Sequence, residues 1–202
     1  MSDKFQDIYR IPSARAAWWD YRNDATYFVT ICTAGREHYF GEILETTLKQ
    51  EMQLSGMGKI AHQHWLEIPE HFPFVKLNVF VVMPNHVHGI LVINHSMETL
   101  PLKTLLGSVE TLHATSLQQQ TDQPIIKNEE MASISPKQGS LSSVIRSYKS
   151  SVSKQCRAIH ADFVWQTRFH DRIIRDESEF WKIREYILNN PVNWGKDKYN
   201  QP

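Results

Sequence analysis

The sequence predicts an α+β fold of the ferredoxin-like βαββαβ type: an antiparallel sheet with an extra C-terminal helix and a long insertion after the third strand. Three observations carry this. Two dense apolar runs, Val75 to Val82 and His86 to Ile93, flank a Pro84-Asn85 step and read as two strands joined by a turn. Tyr27 to Thr33 is rich in β-branched and aromatic residues and reads as a central strand. Leu141 to Ile159 carries one apolar stripe, Leu141, Ile145, Tyr148, Val152, Cys156 and Ile159, and reads as an amphipathic helix.

The elements follow in order. Residues 1–25 form an irregular arm containing Arg10, Arg15 and the Trp18-Trp19 pair. After the first strand, Leu48, Met52, Ile60 and Trp65 recur at roughly helical spacing, which predicts a helix from about Leu44 to Trp65, weakened by Gly56 and Gly58. The second and third strands come next. Residues 95–140 contain Gln118-Gln119-Gln120, scattered Ser and Thr, and Pro124 and Pro136, without a sustained period. They read as a partly disordered insertion. Phe163 to Arg175 is extended, with a fourth strand around Ile173-Ile174. Asp176 fits a helix N-cap with Glu177 and Glu179 in the first turn, and Pro191 stops that last helix near Asn190. In this topology the first and third strands lie in the middle of the sheet. The 202 residues are therefore read as a single domain, 1–202.

Composition excludes little but locates a charge. The chain is 41% hydrophobic and formally neutral, and no apolar run is long enough to span a bilayer. Met1-Ser2-Asp3-Lys4-Phe5-Gln6-Asp7 lacks the pattern of a secretory signal, and Cys32 and Cys156 make no metal-type spacing, so the expectation is a reduced, cytoplasmic protein. From Leu141 to Arg175 seven basic side chains face two acidic ones, a local charge of +5. Such a segment suits either a phosphate-binding surface or a solvated helix face.

The chemistry centres on Met83-Pro84-Asn85-His86-Val87-His88. Strand alternation puts His86 and His88 on one face and Val87, Leu91 and Ile93 on the other. Two imidazoles on one face suit a shared divalent metal, and their softness suits Mn²⁺, Zn²⁺ or Ni²⁺. In the last helix Phe180, Ile183 and Ile187 form the buried stripe. Tyr186 falls beside it, and Asn190 is one turn further along the same row. A phenol beside a metal site is a candidate nucleophile for phosphoryl transfer, and Tyr148, within an apolar stripe, is the rival.

Four pieces in order resemble the single-tyrosine HUH transposases, and most the REP-associated tyrosine transposases. They are Tyr27-Phe28-Val29-Thr30, the His86-Val87-His88 segment, Trp165-Gln166 through Arg168-Phe169-His170-Asp171-Arg172 to Arg175, and Arg184-Glu185-Tyr186-Ile187 with Asn189-Asn190-Pro191. The resemblance implies an Mg²⁺- or Mn²⁺-dependent enzyme that cuts single-stranded DNA near an imperfect hairpin. It implies Tyr186 as nucleophile, a 5′-phosphotyrosine product, and a metal held by His86, His88 and Asn190. The basic stretch then becomes a DNA-contacting surface: Arg146, Lys149, Gln166, Arg168, His170, Arg172 and Arg175, with Trp165 either stacking on a base or packing in the core, and Arg10 and Arg15 reaching from the arm. Monomer and homodimer are both left open. The contrasting readings are a hairpin-binding relative without catalysis and a zinc hydrolase of small substrates, the latter lacking a third His or carboxylate ligand at short spacing.

Overall fold

The computed structural model of the chain describes residues 18–45, 50–96 and 136–200. Arg10, Arg15 and the insertion's bulk, 97–135, lie outside the described residues. The strands of the main sheet are β1 (Ala25–Cys32), β4 (Val75–Met83), β5 (His86–Ile93) and β6 (His170–Ile174), in the order β4-β5-β1-β6 with every neighbouring pair antiparallel. This is the expected ferredoxin-like arrangement, with β1 and β5 central.

One face of the sheet carries the core. Tyr27, Val29 and Ile31 of β1 and Val87, Leu91 and Ile93 of β5 are almost completely buried beneath α1 (Gly56–Leu66) and α3 (Leu141–Ile159). The α3 stripe supplies Leu141, Val144, Ile145, Tyr148, Val152 and Cys156, while Ile159 at its end is exposed. Trp65 of α1 lies flat against β5 because Gly89 leaves room. A Cβ at that position would sit 2.2 Å from the indole.

The helix expected from Leu44 to Trp65 is instead a hairpin followed by a shorter helix. Strands β2 (Gly41–Glu45) and β3 (Gln50–Leu54) pair antiparallel, with Ile43 opposite Met52. The four-residue spacing of Leu44, Leu48 and Met52 imitated a helix, but Glu42-Ile43 and Glu51-Met52-Gln53-Leu54 alternate as strands do. Ser55 then caps α1, its hydroxyl accepting from Gly58 N at 3.0 Å. Gly58 is at the helix start, where a Cβ would lie 2.0 Å from the Phe40 carbonyl oxygen. A short helix α2 (Ile68–His71) leads to β4.

The last helix, α4 (Glu177–Asn189), begins as expected. Asp176 Oδ1 accepts from Glu179 N at 2.8 Å. The chain after it closes in a single 3₁₀ turn, Trp194–Lys196. Among the described residues no helix is long and apolar enough to cross a membrane.

Candidate active site

The second face of the sheet carries a polar site. Its base is β5, where His86 and His88 are buried with ring centroids 4.3 Å apart. Each imidazole is held from behind. Asn85, also buried, donates through Nδ2 to the carbonyls of Arg36 (3.1 Å) and Tyr199 (2.8 Å). That orientation leaves its Oδ1 to accept from Nδ1–H of His86 at 2.8 Å. His88 Nδ1 lies 2.8 Å from Thr30 Oγ1, the cross-strand neighbour on β1. The Asn85 contact assigns the His86 proton to Nδ1 and leaves its Nε2 lone pair for the site, and the Thr30 hydroxyl fixes the His88 ring with Nε2 facing the same way, which is how outer partners orient metal-binding histidines.

Helix α4 and the turn behind it cover this face. The Tyr186 hydroxyl is 3.2 Å from His88 Nε2, while the rest of the side chain remains half-exposed. Asn190, one turn on, is buried and donates from Nδ2 to Asp197 Oδ2 at 2.8 Å. Asp197 Oδ1 accepts from Tyr199 N, also at 2.8 Å. The ligand atoms of His86, His88 and Asp197 all lie within 4.8 Å of one another. Two buried atoms of this site have no hydrogen-bond partner among the described residues: His86 Nε2 and Asn190 Oδ1. Orphaned lone pairs of this kind are costly, and two of them beside a carboxylate fit a divalent cation. Tyr199 closes the site with its ring 4.7 Å from that of His86, and Trp194 stands 5.9 Å from the same ring.

The electrostatics agree. Burial pushes His86 down to about 3, the Asn190 carboxamide opposing the shift, and burial then the neighbouring His86 hold His88 well below its usual range. Both imidazoles are therefore neutral at pH 7, as ligands must be. Tyr186 moves the other way: burial, then the charge of Asp197, raise its hydroxyl to about 12. In the absence of a cation this pocket disfavours the phenolate.

No protein-family model matches the chain. A Haemophilus influenzae protein, described as uncharacterized, is 36% identical over 196 residues, spanning 95% of this chain and 93% of that one. The solved structure of a REP-associated tyrosine transposase bound to a REP hairpin superposes with a TM-score of 0.53 over 91% of this chain and 77% of that one, at 17% identity. The chain belongs to the family of the Haemophilus protein and has the fold of a tyrosine transposase.

Within this transposase fold the sequence-derived residues separate into two groups. His86, His88, Tyr186 and Asn190 converge at one place. Asp197 joins them, and sequence reasoning missed it. The available signal was Pro191: it stops α4 one turn beyond Tyr186, so the chain that follows folds back over the histidines and any carboxylate in it becomes a ligand candidate. The expected DNA contacts are dispersed. Trp165 is a correction: it is buried against Phe163, Phe40 and Tyr148, its Nε1 donates to Lys149 O at 3.1 Å, and no ring face is free for a base. Burial lowers Lys149 to about 8, and its Nζ donates to Gln166 O at 2.6 Å. Gln166 is exposed, its backbone N–H donating to Cys32 O. Arg146 is exposed on α3, across the sheet from the histidines. Arg168, His170, Arg172 and Arg175 are exposed along or beside β6. His170 and Arg172 stand opposite Thr30 and Phe28 on the site face.

Proposed function

We propose that the protein is a metal-dependent single-stranded DNA nuclease and strand transferase that acts at hairpin-forming repeats through a 5′-phosphotyrosine. The observation that carries this reading is the position of the Tyr186 hydroxyl, 3.2 Å from a histidine of a buried, pre-oriented pair. His86 and His88 through Nε2, Asn190 through Oδ1 and Asp197 through its carboxylate would hold the ion, Mg²⁺ or Mn²⁺. Bound there, a divalent cation supplies Lewis-acid polarisation of a phosphate oxygen and charge to offset the developing anion.

The chain's own groups account for the rest. Asn85 and Thr30 fix the imidazoles before substrate arrives, so little reorganisation is needed during reaction. Helix α4 presents Tyr186 from its exposed edge, where a DNA backbone has access. The phenol oxygen forms a bond to phosphorus as the bond to the 3′-oxygen breaks. The phenol proton is lost to solvent, and the departing oxygen gains one to become a 3′-hydroxyl. Attack by another 3′-hydroxyl reverses the step and rejoins strands without ATP, because the phosphotyrosine conserves the bond.

A covalent-adduct assay tests the proposal. The full chain is incubated with a single-stranded hairpin oligonucleotide and Mn²⁺, then resolved on a denaturing gel. A slow-migrating DNA–protein species is expected with the wild type and is absent with Tyr186→Phe, which still binds the hairpin. Binding without any adduct in the wild type leaves only a hairpin-binding protein, and an adduct that persists in Tyr186→Phe removes the assigned nucleophile.

A further inference from the structure

A groove of 920 Å³ opens beside the site, along the edge of β6 that is unpaired among the described residues and the first turns of α4. Trp18, Arg172, Arg175, Glu179 and Lys182 are among its lining residues. Trp18 is 68% exposed, yet it is firmly mounted. Trp19 meets it edge-on at 5.7 Å and is itself anchored through Nε1 to the buried Tyr27 hydroxyl at 2.9 Å. The Arg175 guanidinium lies 5.7 Å from the Trp18 ring centroid. An indole held this way while remaining in water is a prepared stacking platform.

The groove lining carries three acidic side chains, Asp171, Asp176 and Glu179, against three basic ones, Arg172, Arg175 and Lys182. Glu179 accepts from Arg172 Nε at 2.5 Å and from Arg175 N at 3.0 Å, and Asp176 is occupied capping α4. Glu179 is thus matched by Arg172, whereas Lys182 makes no ion pair among the described residues and stands exposed at the groove wall. Lys182 is four residues before Tyr186 on α4, hence on the same row. Arg172 faces Phe28 across the strands, and the Phe28 ring is 6.2 Å from that of Tyr186 and 5.3 Å from His88. Both walls of the groove therefore lead to the phenol.

We propose that this groove is a nucleotide subsite, in which an unpaired base of the DNA strand entering Tyr186 stacks on Trp18 while Lys182 and Arg172 hold its backbone. It rests on the DNA reading above and extends it to the unpaired flank of the hairpin. From the sequence, Trp165 suits either base stacking or core packing, and Trp18 belongs to an arm that either contacts the hairpin or simply packs its two tryptophans. In the structure Trp165 is enclosed and Trp18 is open.

The test uses the full chain in EDTA, so that no cutting occurs. Fluorescence anisotropy measures binding of a DNA hairpin with single-stranded flanks and of the same hairpin without them. In the wild type the flanks should strengthen binding by about tenfold, the size of one base–aromatic stack. Trp18→Ala should lose that gain, Trp18→Phe should keep most of it, and neither should change binding of the flankless hairpin. A 2-aminopurine placed in the flank should be quenched by the wild type and not by Trp18→Ala. Equal binding of the flanked hairpin by wild type and Trp18→Ala, with equal quenching, overturns the subsite, and so does failure of the wild type to gain from the flanks. The catalytic reading fails separately: flank-dependent binding through Trp18 with no covalent adduct in Mn²⁺ would leave the groove standing and remove the nuclease.

Discussion

The phenol oxygen of Tyr186 lies 3.2 Å from Nε2 of His88, on the lone pair that a metal would use. A cation taking that lone pair must displace the hydrogen bond, whose net worth is about 1 kcal/mol. Tyr186→Phe should therefore bind Mn²⁺ about fivefold more tightly than the wild type, the factor that energy implies. Isothermal titration of the metal into DNA-free protein measures it. Weaker binding by Tyr186→Phe would show instead that the phenol oxygen is a ligand.

Asn190 donates to Asp197, and this pair decides how much charge the site contributes. Two neutral imidazoles and a carboxamide carry none, so Asp197 is the only anionic donor in the cluster. Asp197→Asn keeps the shape and removes the charge. Mn²⁺ affinity should fall at least about tenfold, while anisotropy in EDTA should show hairpin binding unchanged or tighter. Unchanged Mn²⁺ affinity would remove Asp197 from the ligand set.

The reach of sequence reasoning differed from element to element for physical reasons. The β4–β5 turn, the α3 stripe and the Asp176 cap are local, each written in neighbouring residues, and each appears where periodicity put it. The convergence of His86, His88 and Tyr186 was accessible because strand alternation and helix spacing each limit direction, and the topology brings the two elements together. The β2–β3 hairpin was hidden by an accident of spacing at Leu44, Leu48 and Met52. Asp197 sits in a short turn without period, so only its tertiary position marks it. Trp165 looked like part of a basic extended stretch. Its antiparallel bridge to Thr33, just past the end of β1, turns it inward, and that is a long-range fact.

Acid should destabilise the metal-free protein through the same histidines. Both have folded values depressed by burial, His86 to about 3, against about 6.5 unfolded. The unfolded chain thus binds more protons below pH 6.5, and stability present above that pH is lost as pH falls toward 3. Each histidine costs about 1.4 kcal/mol per pH unit in that window. Urea titrations in EDTA at pH 7 and pH 5 should show a large drop in midpoint, reduced in a His86→Asn variant. A flat profile between those two values would mean that the imidazoles are not desolvated in the native protein.

Tyr148 is the control for the choice of nucleophile. It sits on α3, on the opposite face of the sheet from the histidines, buried between Trp65 and Trp165. Its hydroxyl donates to Ala61 O at 3.0 Å, and burial raises it well above the ordinary phenol range. No path leads from there to a backbone phosphate without unpacking the core. Tyr148→Phe deletes one buried hydrogen bond and keeps the ring, so thermal or urea unfolding should report a loss of about 0.5–1.5 kcal/mol. Covalent-adduct formation with the hairpin should match the wild type under conditions where both are folded. An adduct lost in Tyr148→Phe and retained in Tyr186→Phe would move the chemistry to the other face of the sheet and leave His86 and His88 without a role in it.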